Sequence, residues 1–217
     1  MGCAVQTPKA KRRRKGLPTA RPYGELSEAA QARAREYWRK QGWTWGAHDS
    51  EQLTETFRAE LWERYGIEGA DANWSLGWCA GDGVAFSATP DIRAIAEHDQ
   101  GLRQCLDAAE VLLAMQGADY EADWGVQITH AGRCYGWGGM QVNVECRAPW
   151  GNIDPIQSVL EGIAALAAEI VCQIVQGACK QLERLGYQEI EYRESDACLA
   201  ETLDANDYLF DEDGELV

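Results

Sequence analysis

The sequence is poor in the residues that announce familiar chemistry. Its three histidines, His48, His98 and His130, are scattered and lack metal-ligand spacing. Eight cysteines stand at 3, 79, 105, 134, 146, 172, 179 and 198, and none forms a CxxC pair. The basic start is not followed by an apolar stretch, so no secretory signal is read. The thiols are therefore expected to be reduced and mostly buried. Gln6 stands where a myristoylation signal requires Ser or Thr. No run of consecutive apolar residues approaches the roughly 20 that span a bilayer, so no membrane helix and a cytoplasmic setting are expected. P-loop and Rossmann glycine patterns are missing, and no Ser/His/Asp or Cys/His set occurs at local spacing. The expectation is a non-enzymatic protein without catalytic residues, metal or cofactor.

Basic residues are scarce beyond the N-terminus. Residues 1–22 hold seven of the 20 lysines and arginines and no acid, leaving 13 against 35 acids over residues 23–217, a charge of −22. A field of that sign repels nucleic acid and favours basic partners, although acidity can also serve solubility alone. In the arm, Lys9, Lys11, Arg12, Arg13, Arg14 and Lys15 are candidates for phosphate contact with DNA or RNA. A solubilising tail, or packing on the protein's own acidic body, explains them as well.

What is abundant is apolar and aromatic. Hydrophobic residues make up 46% of 217, with nine tryptophans, enough for a substantial core. Trp74–Phe86 has alternating arms, Trp74/Leu76/Trp78 and Val84/Phe86, around Gly81-Asp82-Gly83, and reads as a β-hairpin. Pairing Trp78 with Val84 and Leu76 with Phe86 puts the apolar residues on one face. Trp124–Cys146 reads as a second hairpin, with Ile128 opposite Cys146, Cys134 opposite Met140 and Tyr135–Gly139 as its turn. Helices are predicted over Glu25–Gln41, Asp49–Tyr65, Gln100–Gln116 and Asp154–Leu185, and over a short segment after Ser195. Gly186 is read as closing the long helix, whose inward stripe is assigned to Ile163, Leu166, Ile170 and Ile174. Tyr187–Tyr192 reads as a strand and Tyr208–Val217 as a terminal hairpin. The fold class is α+β: an antiparallel sheet of two hairpins packed against a long central helix and further helices. The division is a disordered basic arm (1–22), a helical extension (23–48) and an α+β domain (49–217).

Two segments, Trp74–Phe86 and Tyr192–Gly214, carry a resemblance. The chain resembles phage, prophage and plasmid accessory proteins with an "SLSYCQGDG" hairpin and a C-terminal "SDEAIAETIEANEYEFTEDG"-like ending. The likeness runs from about residue 50 to the C-terminus. Ala80 stands where that family has Gln and Gly77 where it has Ser, so a polar contact from that Gln does not carry over. The resemblance implies a mobile-element accessory protein in a bacterial host and names no reaction.

Candidate partner-binding residues are Tyr135 and Trp137 in the aromatic turn, Asp82 in the Gly-Asp-Gly turn, and the terminal acids Asp207, Asp211, Glu212 and Asp213. An exposed tryptophan at a glycine-flanked turn anchors a partner or stacks on a base. The leading expectation is an inhibitor of a host nucleic-acid-handling or defence complex, of restriction or CRISPR type, whose acidic body occupies a basic groove as a DNA mimic. The alternatives are a nucleic-acid-binding accessory factor acting through the arm, and a small-ligand protein or enzyme with a pocket between sheet and long helix.

Overall fold

A computed structural model describes residues 20–42, 45–115, 121–132, 135–148 and 154–217. The candidate phosphate contacts Lys9, Lys11, Arg12, Arg13, Arg14 and Lys15, and Cys134 with its expected pairing, lie outside the described residues. In chain order, β1 (Arg21–Pro22) precedes α1 (Glu28–Lys40) and α2 (Ala47–Tyr65). The hairpin β2 (Asp71–Ser75) and β3 (Gly83–Ser87) is followed by α3 (Ile92–His98) and α4 (Gln100–Met115). Then come β4 (Asp123–His130), β5 (Met140–Arg147), α5 (Asp154–Arg193), α6 (Asp196–Ala205) and β6 (Leu209–Phe210). The class is α+β, as expected.

Two compact units divide the chain, one of Met1–Trp45 with Tyr192–Val217 and one of Gly46–Glu191. The C-terminal segment therefore groups with the N-terminal extension, a division the sequence did not suggest. In that unit, Ser27 caps α1 by accepting from the Ala30 amide at 3.3 Å, and Ser195 caps α6 by accepting from the Cys198 amide at 3.2 Å. Ala30, Ala34 and Trp38 repeat every four residues, so α1 buries one stripe against Tyr23, Leu199, Leu203 and Phe210. Antiparallel pairing of β1 with β6, and a bridge from Phe210 to Leu216, order the C-terminal turn.

The second unit is built on the two hairpins. Ala88, just past β3, and Ile128 exchange backbone hydrogen bonds of 3.0 and 2.9 Å, a single antiparallel bridge that links the two-stranded sheet β2-β3 to the two-stranded sheet β4-β5. Both registers differ from the sequence expectation by the same amount. Trp74 pairs with Val84 and Ala72 with Phe86, while Ile128 pairs with Val142 and His130 with Met140. Apolar alternation fixes only which face a residue takes, and an even-numbered slip preserves every face. The turns made the choice, and both are longer than expected: Leu76–Asp82 in the first hairpin and residues 131–139 in the second.

Helices account for the other differences. α3 was not anticipated; Asp91 opens it by accepting from the Arg93 amide at 2.9 Å. α2 buries Leu53, Phe57 and Leu61, whereas Trp62 faces solvent. α5 does not stop at Gly186; it runs 40 residues and takes up the segment expected as a strand. Gly186 is a packing glycine: a Cβ there would meet Leu76 Cδ1 at 2.3 Å and Phe57 Cζ at 3.0 Å. The inward stripe is Leu160, Ala164, Ala167, Val171, Val175, Ala178 and Leu182, one position beside the expected one. Small residues there let the helix axis approach its neighbours, which the larger isoleucines would prevent. α5 is also the longest apolar element, although Glu161 and Glu169 interrupt any run of consecutive apolar residues. Ile156–Arg193 is long and apolar enough to cross a membrane by length and composition, and 28% of its most apolar window is buried.

Candidate functional site

The two hairpin turns meet. The Tyr135 amide donates to the Gly81 carbonyl at 3.1 Å, and a Cβ on Gly83 would lie 2.9 Å from the Tyr135 carbonyl oxygen and 3.0 Å from Gly136 Cα. Gly83 is buried, with φ +148°, so no other residue fits this approach without strain. Asp82 and the Tyr135–Trp137 turn, singled out separately in the sequence, are thus parts of one surface.

Asp82 organises the first turn. Its Oδ2 accepts from the amides of Gly77 at 2.7 Å and Cys79 at 2.8 Å, and from the Tyr187 hydroxyl at 3.2 Å. Its Oδ1 accepts from Ser75 Oγ at 2.9 Å and Cys79 Sγ at 3.1 Å. The Cys79 amide and thiol, with smaller help from Ser75 and Gly77, hold the carboxyl far below the usual carboxylate range. The same contact pushes the Cys79 thiol up, because loss of its proton would set a thiolate beside a carboxylate. The Tyr187 phenol is also raised, first by burial and then by its bond to Asp82.

Trp78 is the product of this arrangement. Its backbone is left-handed, with φ +59°, a conformation costing on the order of 1–3 kcal/mol for a residue with a Cβ. The amides on either side of it are pinned to Asp82, so the loop has no relaxed alternative. The indole is carried out of the sheet, 67% exposed, and stacks on Tyr187 with ring centroids 4.2 Å apart. Sequence reading put Trp78 in the core; the shifted register removes it from β2.

The second turn presents Trp137 at 42% exposure, with Lys180 Nζ 4.7 Å from its ring centroid. Tyr135 stacks on His130 at 6.1 Å with planes 16° apart. A Cβ on Gly139 would come within 2.8 Å of His130 Nε2, so the turn is closely packed at its base. Two exposed indoles, each backed by a residue of α5, therefore share one end of the sheet.

The terminal acids lie in the other unit and are engaged there. Asp211 accepts from the amides of Asp213 at 2.9 Å and Glu215 at 3.0 Å, closing the C-terminal turn. Glu212 pairs with Arg21 at 3.7 Å, and Asp213 with Arg33 at 3.4 Å. Asp207 stands two residues beyond α6 with φ +54°. They are not brought to the Asp82–Trp137 surface within one unit. Trp78, Tyr187 and Lys180 were the residues that sequence reading missed. A signal existed for Trp78: Gly77 before it and Asp82 four residues after it suit a loop better than a strand.

Among the described residues no cluster of three His, Cys, Asp or Glu side chains could hold a metal ion. A groove of about 480 Å³ lies between β5 and α5, lined by Asn143, Glu145, Gln157 and Ala164 among others, and it is open to solvent. Comparison with protein-family models, curated proteins and solved structures finds no match to the chain.

Proposed function

We propose that this chain is a non-enzymatic interaction protein that docks on a basic, nucleic-acid-handling partner through the paired hairpin turns. The carrying observation is Trp78: a large apolar ring exposed in a strained backbone fixed by Asp82. Binding hot spots are enriched in tryptophan and tyrosine, and a ring ordered before contact loses little entropy on docking. Trp137, beside it in the paired turns, supplies a second anchor.

Electrostatics supports the choice of partner. Residues 46–191 hold 23 acidic and eight basic side chains, so the unit bearing the indoles has a charge of −15. Such a body is drawn to a surface evolved to hold phosphates, and its occupation there excludes nucleic acid. The mobile-element resemblance of the two sequence segments fits a protein that disables a host nuclease or defence complex.

Affinity capture from bacterial lysate, with wild type and Trp78→Ala/Trp137→Ala as paired baits, tests this. The expected result is a partner retained by wild type, released by moderate salt and absent from the variant. Equal retention by both baits would contradict the assignment.

A further inference from the structure

β5 presents an open edge. In an antiparallel pair, residues alternate between those bonded to the partner strand and those that point away from it. Ile128 commits its amide and carbonyl to Ala88, so its partner across the ladder, Val142, belongs to the set that points away from β4. Val144 and Cys146 follow at steps of two and share that direction. Gln157 uses it: its side-chain amide donates to the Cys146 carbonyl at 3.2 Å and accepts from the Ala148 amide at 3.4 Å, two bonds of the kind a neighbouring strand makes. Beyond that clamp, the backbones of Val142 and Val144 have no partner on this side among the described residues. The groove of about 480 Å³ runs beside them, and its helical wall includes Glu161, Ala164, Ala165 and Ala168. An unpaired strand edge with free space alongside is a template for another extended chain.

We propose that this edge binds an extended, basic peptide segment of a partner protein, added as a new strand beside β5. Backbone bonds to Val142 and Val144 hold the segment, and Gln157 marks where it ends. Side chains of an added strand alternate, so every second one faces α5. Ala165 and Ala168 leave room there for an apolar side chain. Glu161 sets the charge. It is exposed, accepts from Gln157 at 3.4 Å and has no cationic partner among the described residues, whereas Glu145 is matched by Arg147. Lysine or arginine on the segment completes Glu161; aspartate or glutamate is repelled by it and by the charge of −15 on residues 46–191. A second copy of β5 fits poorly for the same reason, since it brings another Glu161 and another body of that charge.

Panning a phage-displayed library of random heptapeptides on the full chain supplies the probe, and the selected peptide, carrying fluorescein, is titrated by anisotropy. Selected sequences are expected to carry Lys or Arg two residues from an apolar side chain, and affinity should fall as salt rises. Glu161→Lys and Ala165→Trp, both at exposed helix positions and confirmed folded by circular dichroism, should each weaken binding at least tenfold. N-methylation of the peptide at alternate residues should abolish binding in one phase and spare it in the other, because only every second amide faces β5. Trp78→Ala/Trp137→Ala should bind the peptide as wild type does, so this site and the docking surface can fail separately. No enriched sequence, an acidic consensus, binding indifferent to both groove variants, peptide binding lost in the tryptophan variant, or the same response to methylation in both phases would overturn the proposal. So would dimerisation of wild type that Ala165→Trp abolishes in sedimentation equilibrium, which assigns the edge to a second copy.

Discussion

Tyr187 donates its hydroxyl to the Asp82 carboxylate at 3.2 Å across 105 residues of sequence, and the same ring supports Trp78. One side chain of α5 thus fixes both the anchor of the first turn and the aromatic group it presents. Loop conformation, helix position and surface chemistry are coupled at this point.

The coupling has a pH signature. The folded-state pKa of Asp82 is depressed, so its contribution to stability is complete above the ordinary carboxylate value of about 4 and is lost as pH falls toward the folded value. The stability difference between wild type and Asp82→Asn, followed by denaturant unfolding, should be constant from pH 7 to about 5. It should shrink steadily below that. A difference that grows on acidification would contradict the hydrogen-bond geometry.

Cys79 offers a chemical readout of the same contact. It is exposed, yet the Asp82 carboxylate favours its protonated form, so it should alkylate slowly at pH 8. Asp82→Asn should speed iodoacetamide labelling of the Cys79 peptide several-fold, measured by mass spectrometry. Cys146 and Cys179, buried and pushed up to about 12, should stay unlabelled in both proteins.

Gly186→Ala sets two effects against each other. Alanine favours the helix by about 1 kcal/mol, whereas the new methyl group meets Leu76 and Phe57, and overpacking costs about 1–3 kcal/mol. Net destabilisation of about 1 kcal/mol is expected by urea unfolding, with altered Trp78 fluorescence because Leu76 begins its loop. A stabilised variant would mean that Gly186 is not a packing position.

The terminal acids should separate by role. Asp211→Ala removes the acceptor of two turn amides and should cost about 1 kcal/mol, in the range for lost caps. Glu212→Ala breaks only an exposed pair with Arg21 and should cost less than about 0.5 kcal/mol. Equal losses in chemical denaturation would refute this division.

Sequence reading captured what local chemistry decides. Ser195 opened its helix as read, and the helices predicted over Glu25–Gln41 and Asp49–Tyr65 formed within a few residues of those bounds. The two hairpins were legible from alternation, although each forms its own two-stranded sheet and one bridge, Ala88–Ile128, links them. Register was not, because faces survive an even slip and the deciding bonds run from Asp82 to its own loop and to Tyr187 on α5. Gly186 misled for a related reason: a glycine at a helix end and a glycine beneath Leu76 look alike in sequence. Trp78 was therefore placed in the core, and the candidate site was half visible, with Asp82, Tyr135 and Trp137 recognised but not their meeting.

The docking assignment is tested most directly on the captured partner itself. Its retention of DNA or RNA should be measured by gel retardation against increasing amounts of wild type or Trp78→Ala/Trp137→Ala, both confirmed folded by circular dichroism. Wild type should displace the nucleic acid, and the double variant should need at least thirtyfold more protein, a loss of about 2 kcal/mol. Nucleic acid that stays bound at saturating wild type, or equal displacement by both proteins, would contradict the account.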